Sequence, residues 1–190
     1  MSADDFHQVR ALRHTRGRDS AEGMWLDSYD YERLRREVLD AFAPSGDGRF
    51  SARGHDLASD AVLEPRWELA PAGTVLVLDG LFLHREELVG CWDLSVWLEA
   101  PYEVTCARMA VRDGTDPDPD HPSMFRYVGA QRLYRALAEP EARADVVVDN
   151  ADLSRPHVLR LGHEPEPPGP SAQCPVEAGA PTGLGYSIGR

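Results

Sequence analysis

An α/β fold built on a parallel sheet is what this 190-residue sequence predicts. Two observations carry that expectation: short, nearly continuous Val/Leu runs, and helical apolar spacing in the segments between them. The runs are VLVLDG (75–80), LSVWLEA (94–100) and DVVVDN (145–150). Adjacent apolar positions leave neither face polar, so these strands are expected to be buried on both faces by covering helices. A ligand then belongs beyond the C-terminal ends of the strands.

The elements follow in chain order. ADDFH (3–7) places two adjacent carboxylates, an aromatic and a histidine almost at the start, a composition suited to a strand end and equally to a ragged acidic terminus. In DYERLRREVLDAF, Tyr31, Leu34, Val38 and Phe42 recur at helical spacing, with Asp30 placed to cap the start and Pro44 beyond the end. Gly80 lets the chain turn after the first run. Pro101 suits the first turn of a helix with Val104, Ala107 and Val111 on one side. Ser123 is placed to cap a helix whose Tyr127, Ala130, Tyr134 and Leu137 line a face. From Gly162 to Arg190 the chain holds six prolines and six glycines with few bulky apolar groups, too little burial to offset ordering. The reading is a domain over 1–161 and a disordered tail over 162–190.

Composition narrows the function classes. The net charge is −12 and no basic run is present, so nucleic acid and anionic membrane surfaces are not expected partners. No apolar run has the length of a membrane span and no signal peptide is visible, which makes a reduced, cytoplasmic setting the expectation. Cys91, Cys106 and Cys174 are widely spaced with no C-x-x-C pattern, so neither a disulfide framework nor a zinc site is expected. All 20 basic residues are arginine. Any chemistry that needs a lysine has to manage without one from these residues.

Candidate chemistry sits at the ends of the runs. Asp79 closes a buried strand, where a carboxylate commonly orders Mg²⁺ beside nucleotide phosphates and as commonly does nothing more than end the strand. An aspartyl-phosphate enzyme would want a second Asp two residues on, and Leu81 stands there. Arg108 and Arg112 share a helix face, and Arg126 follows the Pro/Asp/Gly-rich DGTDPDPDHPSM. This suits a mobile lid whose arginines hold transferring phosphoryl charge, with a solvated basic face as the competing reading. The remaining histidines show no ligand spacing, and Trp67, Trp92 and Trp97 read as core or interface.

In order, DDFH, RHTRGRDSAEG, DSYDYERL, VLVLDGLFL, WDLSVWLEA, RMAVRD, RYVGAQRLY and ADVVVDNADLSRP span most of Ala3 to Pro156. Together they resemble the P-loop kinases of the uridine kinase and phosphoribulokinase-like group, in particular its bacterial uridine-kinase-like branch. The resemblance implies a three-layer parallel sheet with helices on both faces. It also implies an ATP- and Mg²⁺-dependent phosphotransferase acting on a hydroxyl of a nucleoside or similar small molecule. Asp4 then takes the role of general base at the end of the family's second strand, with Asp5, Phe6 and His7 lining the acceptor pocket. Asp79 takes the metal-associated place, Arg108 and Arg112 the places of ATP-facing lid arginines, and Arg13, Arg16, Asp27 and Arg126 flank the acceptor. A homo-oligomer is compatible with this reading.

Two departures accompany the resemblance. Where uridine-cytidine kinases carry a Y-D-F-x-S-H-like loop, this chain has HDLASD, which puts His55 and Asp60 at the pyrimidine-reading places. The family's first strand, G-x-x-x-x-G-K-[ST] phosphate loop and first helix have no counterpart in these residues. Without that loop, the backbone cradle and point charge on the phosphates are missing. The expectation is therefore that Met1 is an internal start of a longer kinase and that these residues alone are inactive. The alternatives are a non-catalytic binding or regulatory relative and a chain completed by a partner. In the family the first strand lies between the third and fourth, so VLVLDG and LSVWLEA are expected to flank a gap or to pair with each other.

Overall fold

The computed structural model describes residues 1–162. The expected tail, apart from Gly162, lies outside them. The chain begins with a 3₁₀ turn, Ala3–Phe6, and not with a strand. Three helices follow: α1 (Arg10–Arg13), α2 (Ala21–Asp27) and α3 (Tyr31–Leu34), the last running on through a π turn, Arg35–Leu39, into α4 (Asp40–Phe42). Asp30 caps this run as its sequence predicts, accepting the Arg33 N–H at 2.9 Å, and Leu34 and Val38 are buried.

Two small antiparallel pairs come next. β1 (Arg49–Ser51) pairs with β4 (Trp67–Leu69), and between them β2 (His55–Asp56) pairs with β3 (Ala61–Val62). β5 (Val96–Glu99) leads into α5 (Tyr102–Asp113). After the 3₁₀ turn Pro122–Met124 come α6 (Phe125–Ala138) and α7 (Pro140–Arg143). β6 (Val146–Asp149) and β7 (His157–Leu161) close the described chain.

The two later Val/Leu runs do form a parallel pair, with Val96 opposite Val146 and Glu99 opposite Asp149. β7 adds antiparallel on the far side of β6. The 75–80 run differs from expectation. Its backbone meets the N-terminus in parallel fashion at a single bridge, Ser2 to Asp79, without becoming a regular strand. Met1 N donates to the Val77 carbonyl at 2.9 Å; Asp79 N donates to Met1 O at 3.0 Å and Ala3 N to Asp79 O at 2.8 Å. Among the described residues no pairing joins this segment to β5, which stands at the edge of its sheet.

Burial on both faces is corrected for the same reason. Leu76 and Leu78 pack into the core, whereas Val75 and Val77 are 81% and 73% exposed. Val96 and Leu98 are exposed on β5 as well. The first two runs are thus covered on one face only, while the 146–149 run is buried at Val147 and half-buried at Val146 and Val148; the continuous three-layer sheet is not assembled by the described residues.

Helix faces are shifted too. α5 packs through Tyr102, Cys106 and Met109 against Met124 and Val128, and Val111 is 90% exposed. α6 buries Val128, Ala130, Tyr134 and Ala138, while Tyr127 and Leu137 face solvent. His121, not Ser123, caps the preceding turn.

The main core is aromatic. Phe82 packs edge-on to Trp25 and Tyr134, at ring-centroid distances of 5.1 and 5.2 Å. α2 and α6 approach so closely that a Cβ on Gly129 would meet the Ala21 Cβ at 2.7 Å. Phe82 is fully buried and holds φ at 64°, a left-handed backbone that costs on the order of 1 kcal/mol or more and is retained because the ring fills the core. Arg85 clamps the same region: its guanidinium lies over Trp25 and Tyr31 at 4.4 and 4.5 Å. It also donates to the Trp25 carbonyl and to both Glu87 oxygens. Phe82→Ala is expected to cost about 3–5 kcal/mol of stability in urea unfolding followed by circular dichroism. A loss below about 1 kcal/mol would show that this ring is not the centre of the core.

Candidate functional site

The first eight residues lie between two backbones. On one side is the 77–79 segment described above. On the other, Gln8 N donates to Ser28 O at 2.9 Å and Asp30 N to Phe6 O at 2.8 Å, with a bridge from His7 to Tyr29. Gly54 N donates to Asp5 O at 2.9 Å. Gly80 permits the close approach, since a Cβ there would sit 2.5 Å from the Ala3 Cβ.

Asp4 emerges from this seam with an exposed side chain. Tyr29 donates its hydroxyl to Asp4 Oδ1 at 2.9 Å. Burial, with the Asp4 charge beside it, pushes the Tyr29 phenol far above its ordinary value, so it remains a donor. His7 Nδ1 lies 2.8 Å from the Asp4 carbonyl oxygen, which only accepts, so Nδ1 carries the proton and Nε2 is left as an acceptor. The His7 ring packs on Tyr29 at 4.5 Å. The other predicted members of this segment turn away. Asp5 accepts from Arg53 Nε at 2.9 Å, and Phe6 is buried with Leu34, Val38 and Leu88 in the core, not on a pocket wall.

A second group converges on Asp60, which sits at φ 60° in the β2–β3 turn region. It accepts the Arg10 N–H at 2.8 Å and Arg13 Nη2 at 3.4 Å, and His55 Nε2 lies 3.3 Å away. Burial acts to raise the Asp60 carboxyl, but the Arg10 N–H and the Arg10 and Arg13 charges hold it below the usual carboxylate range. Arg33 braces this loop from beneath: Nη1 donates to Gly54 O at 2.7 Å, Nη2 to Leu63 O at 2.6 Å and Nε to buried Glu37 at 2.9 Å. Arg13 joins the two groups, its charge reaching both His7 and Tyr29.

The other predicted residues are spread more widely. Arg16 pairs with Asp27 at 3.1 Å. Arg126 donates to the Arg18 carbonyl, and its charge interacts with those of Arg13 and Arg18. Arg112 is exposed and paired with Asp113, yet its guanidinium also feels the Asp4 charge. Arg108 donates to the Asn150 and Ala151 carbonyls, both at 2.8 Å, just past β6. Asp79 is an exposed carboxylate, and among the described residues no group of three acidic, histidine or cysteine side chains is placed to hold a metal. A lone carboxylate suits a Mg²⁺ that arrives with a nucleotide and keeps its waters, not an ion held by protein alone. Sequence reasoning did not single out Tyr29, although it lies in DSYDYERL; the polar partner it gives Asp4 is invisible until the seam forms.

No protein-family model matches the sequence, and no curated protein is similar to it. Among solved structures, a "possible uridine kinase" from Bacillus stearothermophilus is 22% identical with a TM-score of 0.56, covering 77% of this chain and 69% of that one. The chain has a uridine-kinase-like fold. At this identity the likeness speaks for the fold alone. Among the described residues no helix is long and apolar enough to cross a membrane.

Burial pushes His7 below its ordinary 6.5, against a smaller opposite effect of the Asp4 carbonyl and charge. A folded value below the unfolded one means that neutral His7 contributes stability above about pH 6.5, lost as pH falls through the folded value. Proton NMR of His7 is expected to show a midpoint under 6.5, and His7→Asn is expected to flatten the loss of urea resistance between about pH 7 and about pH 5.5. A midpoint above the ordinary value would contradict the burial assigned to this ring.

Proposed function

We propose that this chain carries the acceptor half of a uridine/nucleoside-kinase-type phosphotransferase, which phosphorylates a hydroxyl of a nucleoside or similar small molecule at the expense of ATP. The single observation behind this reading is the setting of Asp4. One carboxylate oxygen is occupied by the Tyr29 hydroxyl, which leaves Oδ2 to accept a hydrogen bond from an acceptor hydroxyl and then its proton as the oxygen attacks phosphorus. Tyr29 holds the carboxylate and His7 the Asp4 backbone carbonyl, and the Arg112 guanidinium, which feels the Asp4 charge, is proposed to counter negative charge that develops there.

The donor side is a different matter. With no lysine and no glycine-rich phosphate loop among these 190 residues, the phosphates of ATP lack their backbone cradle and point charge. The residues present do not fit a complete ATP site. That grip has to come from another polypeptide segment, and these residues alone are proposed to be inactive. The same observation favours a second reading, a binding or regulatory relative that keeps the acceptor pocket and has lost ATP chemistry.

Calorimetry on the 190-residue chain separates these readings from a self-sufficient enzyme. Acceptor binding without Mg·ATP binding is expected, and ADP release in a coupled assay at background level. Sustained ADP release would contradict the proposal. In a kinase completed by a phosphate-loop segment, Asp4→Asn is expected to lower kcat by about 100-fold or more with KM little changed. Equal loss in both would assign Asp4 to binding instead.

A further inference from the structure

The segment that follows Gly80 is fastened to its surroundings through polar groups. Trp92 Nε1 donates to Leu83 O at 3.0 Å and Arg143 Nη1 to His84 O at 3.4 Å, while Arg85 closes on Trp25 O and on Glu87. The bond to α6 is of another kind. The His84 backbone N–H donates to the Tyr134 hydroxyl at 2.9 Å, and the same oxygen lies 3.1 Å from His84 Nδ1. Of these fastenings, only the imidazole changes charge near neutral pH.

Both partners are buried, His84 at 9% and Tyr134 at 2% exposure. Burial pushes the Tyr134 phenol well above its ordinary value, so it keeps its proton. Among the described residues that proton has no acceptor other than Nδ1, which places the ring proton on Nε2, itself buried without a hydrogen-bond partner. One hydroxyl thus accepts from the backbone of His84 and donates to its ring, a pairing that requires the neutral imidazole. A second ring proton would meet the Tyr134 proton head-on. It would also create a buried cation that no neighbour receives. Arg143 on α7 repels it, and the Asp145 carboxylate that attracts it is already engaged by Ser95 N and Oγ, both at 2.7 Å. Trp97 on β5 offers only a ring at 6.2 Å, and the charges of Tyr31 and Arg85 act on Tyr134. Burial holds the His84 ring below its ordinary value, opposed by the Asp145 charge and assisted by that of Arg143.

We infer that the His84–Tyr134 pair is an acid-sensitive latch: a proton on Nδ1 unfastens the 81–85 segment from α6 and so loosens the 77–79 side of the seam that holds the N-terminus. The aromatic core is the link. Tyr134, Phe82, Tyr29 and Ala3 share one buried cluster, with the Phe82 ring 5.2 Å from Tyr134 and 6.2 Å from Tyr29. Asp79, which bonds Met1 and Ala3 through its backbone, lies only five residues before His84. A folded value below the unfolded one means that neutral His84 stabilises the structure above about pH 6.5, a contribution lost as pH falls through the folded value. The latch acts on backbone and is independent of what Asp4 binds.

Amide hydrogen exchange of the full chain, corrected for the intrinsic pH dependence of exchange, tests it. Protection of the Ala3 and Asp79 amides is expected to fall about tenfold or more between about pH 7.5 and about pH 5, while the Asn150 amide, bonded to Glu99 O, changes less than about threefold. In His84→Asn the side-chain oxygen takes the place of Nδ1 toward Tyr134 and does not titrate, so the fall is expected to disappear with protection at about pH 7.5 retained. A fall of equal size in His84→Asn would assign it to another group, His7 foremost, and overturn the inference. Equal loss at Asn150 would overturn it too, by showing general unfolding in place of a local release. Ring-nitrogen NMR of the unsubstituted protein gives a reading that needs no variant: a neutral His84 protonated at Nε2 is expected, and a ring protonated at Nδ1, or one that takes up its second proton without change at Ala3 and Asp79, would overturn the latch. Each of these contrary results leaves the acceptor reading of Asp4 standing.

Discussion

Everything at the candidate site depends on the backbone hydrogen bonds that grip residues 1–8 from two sides. The 77–79 segment holds Met1 and Ala3, and Ser28 and Asp30 hold Gln8 and Phe6. Ordering a chain end is entropically costly, and these bonds together with buried Ala3 and Phe6 offset that cost. Their effect is to present one exposed carboxylate, Asp4, from a segment anchored by buried Ala3 and Phe6.

From that seam the charges arrange themselves outward. Tyr29 is buried and stays protonated, so it is a fixed donor that orients Asp4 without competing for its proton. Arg33 does for the 54–63 loop what Tyr29 does for Asp4, tying two carbonyls to buried Glu37 so that His55 and Asp60 are held opposite Arg13. Gly54 belongs to that brace, because a Cβ there would meet Arg33 Nε at 2.9 Å. The result is an exposed carboxylate, Asp4, with Arg13 joining it electrostatically to the braced Asp60 group.

Much of the fold was legible because the strongest periodic signals were also the most buried. Asp30 with Leu34 and Val38 marked the helix through 42, and the Val/Leu runs at 96–99 and 146–149 marked the parallel pair. The two antiparallel pairs and β7 were not legible, since their residues are mostly exposed and too few for a two-residue alternation to register. The 75–80 run read as a strand buried on both faces because its composition reports what the segment is fit to contact, and among the described residues only one of those contacts is present. At the candidate site, Asp4 and His7 were singled out through motif resemblance, while Tyr29 was not, because a lone tyrosine has no pattern of its own. Phe6 was assigned to the pocket by the same resemblance, although the 3₁₀ turn directs it into the core.

The central claim is that the Asp4 seam is where a small hydroxyl compound binds. Nitrogen–proton correlation NMR of the full chain during titration with uridine and with ribose tests it most directly. Saturable shifts concentrated at Asp4, His7, Tyr29 and the 55–60 loop are the predicted result. Shifts confined to surfaces remote from these residues, or none in folded protein at saturating ligand, would contradict it.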